Sequence, residues 1–576
     1  MAKKYKNRKS DYALYPTVRF DDMRDMLEKT ADKYGTKTAI SYRKNPSDKE
    51  ALEISFEKVW EDVAGLATAL IKRGLRGKKV AIIGENSREW IYAYFALTSM
   101  GAVAVPIDKE YPAADMASIL NTARCDAIIF SPAIKSKYSH ITENVPTVSL
   151  SVCFSRSDNT ADAPTVDELI GEGAKLIEER DYSYYDYEID KDEMVSIVFT
   201  SGTTGKGKGV MLSTRNILDD MSNGIYLFSM PEKTLFALPA HHTFGSTVNL
   251  VGHYMQGIEI YISSGTRYIL NELKAENPTH LVLVPLYIET FYKKIFAAIE
   301  KQGKLKLVRR MMKISRALRK IGIDLREVFF KEILKNFGSR MRLIVSGGAA
   351  LNPDIIADFE ALGITILNGY GITECAPLIS CNRNNYRKPG SVGRPIMRET
   401  VKIANPNDAG EGEICVKGSN VMLGYFENDE ATREAFDEEG YFKTGDLGRV
   451  DSEGWIYITG RSKNLIILSN GKNVYPEEIE TELSRIYGVA EAVVYEGVSK
   501  SEAKSDLIVA EIFPDKDALA ERGITDIKAY FDKEVAAANS RMAPYKKIGL
   551  IKLREVEFEK TTTRKITRFT IDRSVD

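Results

Sequence analysis

Several broad classes are excluded by what this chain does not carry. Its five cysteines, Cys125, Cys153, Cys375, Cys381 and Cys415, form no C-x-x-C pair. Neither a zinc site nor a disulfide framework is signalled, and free thiols in a reducing compartment are expected. There is no excess of either charge: 80 Lys and Arg stand against 81 Asp and Glu, a net charge of -1. Bulk electrostatics therefore give no reason to expect a nucleic-acid partner. The basic start, MAKKYKNRKSD, lacks the apolar run that a secretory leader places next. One long uncharged stretch, Trp90 to Ile107, is interrupted by Gly101 and Pro106. It reads as a core helix turning into a buried strand rather than as a membrane span. No internal repeat is visible. These absences point to a cytoplasmic protein.

What is present suits a globular protein. A length of 576 residues calls for more than one domain. An apolar content of 44% and a charged content of 28% allow sizeable cores. Strand-like runs (KVAIIGE, DAIIFS, VSIVFT, HLVLVPL, RLIVSGG, TILNGY) alternate with helical patterns. That alternation predicts an α/β fold of layered sheets and helices. Continuous Val, Ile and Leu runs suit parallel strands buried on both faces. Asn352-Pro353-Asp354 and Tyr475-Pro476-Glu477 read as helix starts. The stretch from Ser155 to Glu193 is acidic and reads as loop. A finer texture of short strands and one late helix begins near Asn464. The expected organisation is a large domain over 1–460, a hinge at 461–463 and a small, mobile α+β domain over 464–576.

The stretch Thr200 to Ser213, TSGTTGKGKGVMLS, carries the chemistry. Between Gly202 and Lys208 it matches G-x-x-x-x-G-K, the opening of a P-loop, yet Gly209 stands where the magnesium-binding hydroxyl belongs. Glycines free the backbone to converge its amides on an anion. Ser201, Thr203 and Thr204 add hydroxyls, and Lys206 and Lys208 add charge. A strand leads in and a helical pattern leads out, the setting in which helix N-termini hold phosphate. The metal must then be held elsewhere, and a carboxylate is the natural ligand. NGYGITE, Asn368 to Glu374, supplies one.

With both stretches in view, the chain resembles the adenylate-forming superfamily, which includes acyl-CoA synthetases, luciferases and peptide-synthetase adenylation domains. The resemblance runs from about Phe20 to the C-terminus, and it implies the following roles. Thr200, Ser201, Gly202, Thr203, Thr204, Gly205 and Lys208 would cradle the β- and γ-phosphates of ATP. His242, in PAHHTFG, would stand at the gate near the substrate carboxylate. Gly348, Ala349 and Ala350 would run along adenine. From Asn368, Gly369, Tyr370 and Gly371, the tyrosine would stack on the base. Thr373 would bind the α-phosphate, and Glu374 would ligate Mg2+. Asp446 would accept hydrogen bonds from both ribose hydroxyls, and Arg461 would add a ribose or phosphate contact. Lys463 would be the hinge, and Gly471 would line the pantetheine tunnel. Lys565 would reach the reacting atoms. Two departures from the family pattern stand at Gly207, where proline is common, and at Thr563-Arg564, where Ser/Pro-Gly is usual.

The substrate is less legible. A long helical segment from Tyr287 to Arg340, with stretches such as VPLYIETFYKKI, resembles long-chain fatty acyl-CoA synthetases. That implies a medium- to long-chain fatty acid, CoA as acceptor, and AMP and pyrophosphate as products. Within it, Lys301 to Lys320 holds only basic residues among its charges, with Leu307, Met311, Ile314 and Leu318 at helical spacing. It reads either as a helix with its apolar face on the core or as a peripheral contact with the inner membrane surface. Rival readings are a ligase that loads a carrier protein or takes an aryl acid, a true P-loop NTPase, and a scaffold without catalysis.

Overall fold

A computed structural model of the chain describes residues 14–156, 163–200, 207–470, 472–498, 506–560 and 566–575. They divide into two compact units. The first holds the described residues through Thr400 together with Lys417–Phe442. The second holds Val401–Val416 and the described residues from Lys443 onward.

The first unit is built on two large sheets layered with helices. One has nine strands. Its middle, running through Thr365–Gly371, Leu343–Ser346, His280–Leu283, Lys233–Phe236, Glu259–Ile262 and Thr38–Tyr42, is parallel. The other has seven strands, four of them the buried parallel runs Val103–Ile107, Lys79–Ile83, Ala127–Phe130 and Leu150–Cys153. Its far edge is antiparallel: Met194–Thr200 turns back on Lys208–Ser213, which pairs with Gly424–Tyr425. The uncharged stretch is the helix Arg88–Ser99 followed by the strand Val103–Ile107, with Gly101 at φ 81 making the turn between them. Among the described residues no helix is long and apolar enough to cross a membrane.

Two readings of local sequence need correction. The acidic stretch after Ser155 contains the helix Val166–Glu178. Thr165 accepts a hydrogen bond from the Glu168 amide, and the Glu168 carboxylate accepts one from the Thr165 amide. T-V-D-E is thus a capping box, and its acids sit where the helix dipole favours them. This helix crosses Phe56–Lys72 glycine against glycine: a Cβ on Gly173 would lie 1.7 Å from the Gly65 carbonyl oxygen. In the basic helix, Leu305–Lys320, the stripe singled out by spacing faces the core only in part, through Met311. Val308, Met312 and Ser315 are buried, whereas Leu307 and Ile314 are exposed. Arg309 and Arg316 both grip Asp358 of the helix Pro353–Leu362 and set this rotation.

In the second unit, Phe442–Val450 and Ile456–Arg461 pair antiparallel in a four-stranded sheet. A three-stranded sheet follows (Val489–Glu496, Ile508–Pro514, Leu550–Leu553). The helices Pro476–Leu483 and Ile527–Asn539 cover it through Ile479, Leu483, Phe531 and Val535.

Candidate active site

The glycine-rich stretch joins two strands, not a strand and a helix. Thr200 ends one strand and Lys208 starts the next, registered opposite each other. The Thr200 hydroxyl reaches the Lys208 carbonyl at 3.4 Å. The helix Thr214–Ile225 begins only after the second strand, with its N-terminus closed by the Ser213 side chain. The expectation of a helix dipole at the loop is therefore overturned: its positive end is spent on Ser213. Gly209 is a strand residue packed on its neighbours, and a Cβ there would lie 2.9 Å from Ile197 Cγ2. Ser201, Gly202, Thr203, Thr204 and Gly205 lie outside the described residues.

Glu374 is brought to this hairpin by Tyr425. The edge strand Gly424–Tyr425 pairs with Lys208–Ser213, so Tyr425 lies opposite Val210. The Lys208 ammonium sits 4.6 Å from the centre of the Tyr425 ring, within range of a cation–π contact. The Tyr425 hydroxyl donates to Glu374 Oε1 at 2.9 Å, and the Met422 amide donates to the Glu374 carbonyl at 2.8 Å. Burial first, then the Glu374 charge, pushes the Tyr425 phenol far above its ordinary range, so it stays protonated and donates. The arrangement is held from behind by the helix Thr214–Ile225. Asp220, fully buried, accepts from the Leu378 amide at 3.1 Å and from Asn420 Nδ2 at 3.2 Å. Asn216 donates to the Ser419 and Val421 carbonyls.

Asn368, Gly369, Tyr370 and Gly371 form the end of the strand Thr365–Gly371, and Thr373 opens the short 3-10 turn that carries Glu374. Gly371 has no room for a side chain: a Cβ would lie 2.0 Å from the Pro377 carbonyl oxygen. Ser346 registers with Asn368, so Gly348, Ala349 and Ala350 leave the C-terminal end of the neighbouring parallel strand. Carboxyl ends of adjacent parallel strands are where open α/β sheets bind ligands. Gly348 takes a positive φ of 85. The PAHHTFG segment reaches the same strand ends, since a Cβ on Gly347 would lie 2.9 Å from the Phe244 ring. His242 is half-buried and its ring lies 4.3 Å from that of His241. Burial lowers the His241 imidazole to about 4, so His241 is neutral beside Asp108.

In the second unit, Asp446 and Arg461 meet across an antiparallel pair, with Arg461 Nε 2.7 Å from Asp446 Oδ1. Asp446 is 3% exposed, and Gly445 before it adopts φ 71. Lys463 is exposed, in the short turn Ser462–Asn464. Gly471 and Lys565 lie outside the described residues.

The AMP-binding enzyme family matches residues 27–426, well over half of the chain. The chain belongs to the AMP-binding enzyme family. Mouse long-chain-fatty-acid–CoA ligase 6 is 28% identical over 87% of this chain and 75% of its own length. Long-chain-fatty-acid–CoA ligase FadD15 of Mycobacterium bovis is 27% identical, over 88% and 90%. A chloroplastic long-chain-fatty-acid–[acyl-carrier-protein] ligase, AEE15 of Arabidopsis thaliana, is 26% identical, over 82% and 74%. The fold matches that of the anthranilate CoA ligase AuaEII in complex with anthranoyl-AMP, with a TM-score of 0.75, 22% identity and 98% of each chain covered. ATP-bound MatB from Rhodopseudomonas palustris superposes with a TM-score of 0.73 at 23% identity, over 95% of this chain and 97% of that one.

For this AMP-binding enzyme the donors fit a metal that arrives with nucleotide. Among the described residues no three His, Cys, Asp or Glu side chains gather as a metal site. Glu374 has one oxygen engaged by Tyr425. Mg2+ is commonly held in this way, by one or two carboxylates with phosphates and water completing the octahedron. Sequence reasoning missed Tyr425, Asp220 and Asn216. Tyr425 lies in the stretch VMLGYFENDEATREAF. Its role depends on which strand it pairs with.

Proposed function

We propose that this AMP-binding enzyme adenylates a medium- to long-chain fatty acid with ATP and passes the acyl group to CoA, releasing pyrophosphate and AMP. The observation that carries the reading is the Tyr425 bridge, which sets a carboxylate able to hold Mg2+ beside the lysine of a hydroxyl- and glycine-rich hairpin. A P-loop NTPase offers a helix N-terminus and a magnesium-binding hydroxyl at those two places; this chain has neither. The names of its relatives, at 26–28% identity, support an acid–thiol ligase acting on long acyl chains.

In the first half-reaction the acid's carboxylate attacks the α-phosphorus and pyrophosphate leaves. Little covalent work falls to the protein, so positioning and charge neutralisation dominate. The residues of the 200–208 hairpin hold the outer phosphates, Thr373 the α-phosphate, and Gly348 to Ala350 with Tyr370 the base. Asp446, aided by Arg461, accepts from the ribose hydroxyls. Glu374 would hold Mg2+, which, when bound, offsets the negative charge of the phosphates. Lys565 adds positive charge at the reacting centre. In the second half-reaction a hinge at Lys463 withdraws Lys565 and presents the segment around Gly471 to pantetheine, and the thiolate takes the acyl group. His242 stands at the acyl gate. We place the enzyme in the cytoplasm, peripheral to the inner membrane surface.

The test is a screen of pyrophosphate release over acids of increasing chain length, with and without CoA. Release that rises with chain length, and AMP turnover that needs CoA, support the reading. ADP and phosphate as products overturn it. AMP release that ignores CoA but responds to an acyl carrier protein moves the acceptor to the second reading, which the AEE15 relative favours.

A further inference from the structure

The basic helix Leu305–Lys320 is attached to the first unit by one face. Val308 and Met312 join the core, and Arg309 and Arg316 pair with Asp358, the latter at 2.7 Å. Facing away stands an apolar row: Leu307 is 56% exposed, Ile314 44% and Ile321 72%. Steps of seven residues advance two turns less about 20°, so Leu307 and Ile314 lie almost in line, and Ile321 continues the row at the helix C-cap, over about 21 Å in all. Exposure of apolar residues continues past the helix at Val328, 72% exposed. On the helical wheel, Lys306, Arg310, Lys313 and Lys320 run beside this row, all exposed and, among the described residues, without a carboxylate partner. No Asp or Glu occurs from residue 301 to 323.

We propose that this outer face docks on an anionic bilayer, with the apolar row entering between the head groups and the cations at phosphate level. A helix whose outer face met only water would gain nothing from three branched apolar residues in register. A straight apolar row flanked by lysine and arginine is the pattern of helices that lie in the membrane interface. The charge is complementary to an anionic leaflet. An acidic protein partner would use the cations and have little use for the row. The inference does not depend on the reaction proposed above, although a poorly soluble acid would be met at that surface.

The experiment is co-sedimentation of the full-length protein with vesicles of phosphatidylcholine, alone or mixed with phosphatidylglycerol. Binding is expected to the mixed vesicles only, weakening with salt. The Lys306→Gln/Lys313→Gln variant should lose affinity by about fivefold per cation removed. Leu307→Asn/Ile314→Asn keeps every charge and should weaken binding by at least about tenfold, since each side chain would give up its apolar burial. These positions are exposed, and an unchanged unfolding midpoint shows that folding is intact. As a second readout, the indole fluorescence of the Ile314→Trp variant should shift to the blue on mixed vesicles. Wild-type protein left in the supernatant overturns the proposal. So does binding indifferent to the asparagine pair, which would show adsorption by charge alone. An Ile314→Trp spectrum that vesicles leave unchanged overturns it equally.

Discussion

Glu374 alone is a half-buried acid at the start of a short turn; the hydroxyl of Tyr425 aims it. Tyr425→Phe keeps the ring under Lys208 and removes only that donor. One hydrogen bond to a charged group is worth about 1.5–3 kcal/mol. Pyrophosphate exchange should fall about 10- to 100-fold, with a higher Mg2+ requirement, and unchanged exchange would remove Tyr425 from the site. A second residue gives a pH signature. Burial raises the Glu399 carboxyl to about 8, against 4.5 for the free side chain. The folded protein keeps a proton that the unfolded chain releases. The stability contributed by this group is complete below pH 4.5 and is lost as pH rises to 8. Glu399→Gln cannot titrate. Its stability relative to wild type should improve by about 1.4 kcal/mol per pH unit across that window. Urea unfolding at several pH values measures this, and parallel curves would refute the shift.

At the scale of elements, the hairpin Met194–Ser213 separates this enzyme from the P-loop its sequence imitates. Gly209→Ser would complete G-x-x-x-x-G-K-S. In a P-loop that change would supply the metal's hydroxyl. Here a Cβ meets Ile197 at 2.9 Å and the Phe199 ring at 3.2 Å. The expected result is a loss of about 1–3 kcal/mol of stability, as for other overpacked sites, with no ADP formed; a gain of ATPase would contradict the hairpin. The helix Val166–Glu178 gives a plainer check. Thr165→Ala removes the cap and should cost about 1 kcal/mol in chemical denaturation, leaving KM for ATP unaltered. That helix was legible in T-V-D-E, and acidity obscured it. The rotation of the basic helix was not legible. Two faces, 307/314 and 308/312/315, compete on one wheel, and the ion pairs to Asp358 choose between them.

For the whole molecule, the prediction concerns two half-reactions on one chain. Lys565→Ala should slow adenylation by about 10²–10³, the usual loss for one removed charge stabiliser at a reacting centre. Thioester formation from supplied acyl-AMP should survive. Equal losses in both steps would sink the hinge at Lys463.

The sequence by itself determined the layers, the order of the motifs and the chemistry each could offer. Those follow from local periodicity, turn residues and side-chain type. The buried parallel runs were readable because strands covered on both faces have no polar side to disguise them. Tertiary structure decided which of those pieces meet. Tyr425 follows Lys208 by more than two hundred residues, and only the antiparallel edge pairing of Gly424–Tyr425 sets its ring under that lysine and its hydroxyl on Glu374. The direction of the loop's exit was likewise settled by pairing, because Lys208–Ser213 gains a ladder on both sides before any helix can start. Strand partners are chosen by long-range packing and hydrogen bonding, and local sequence does not encode them.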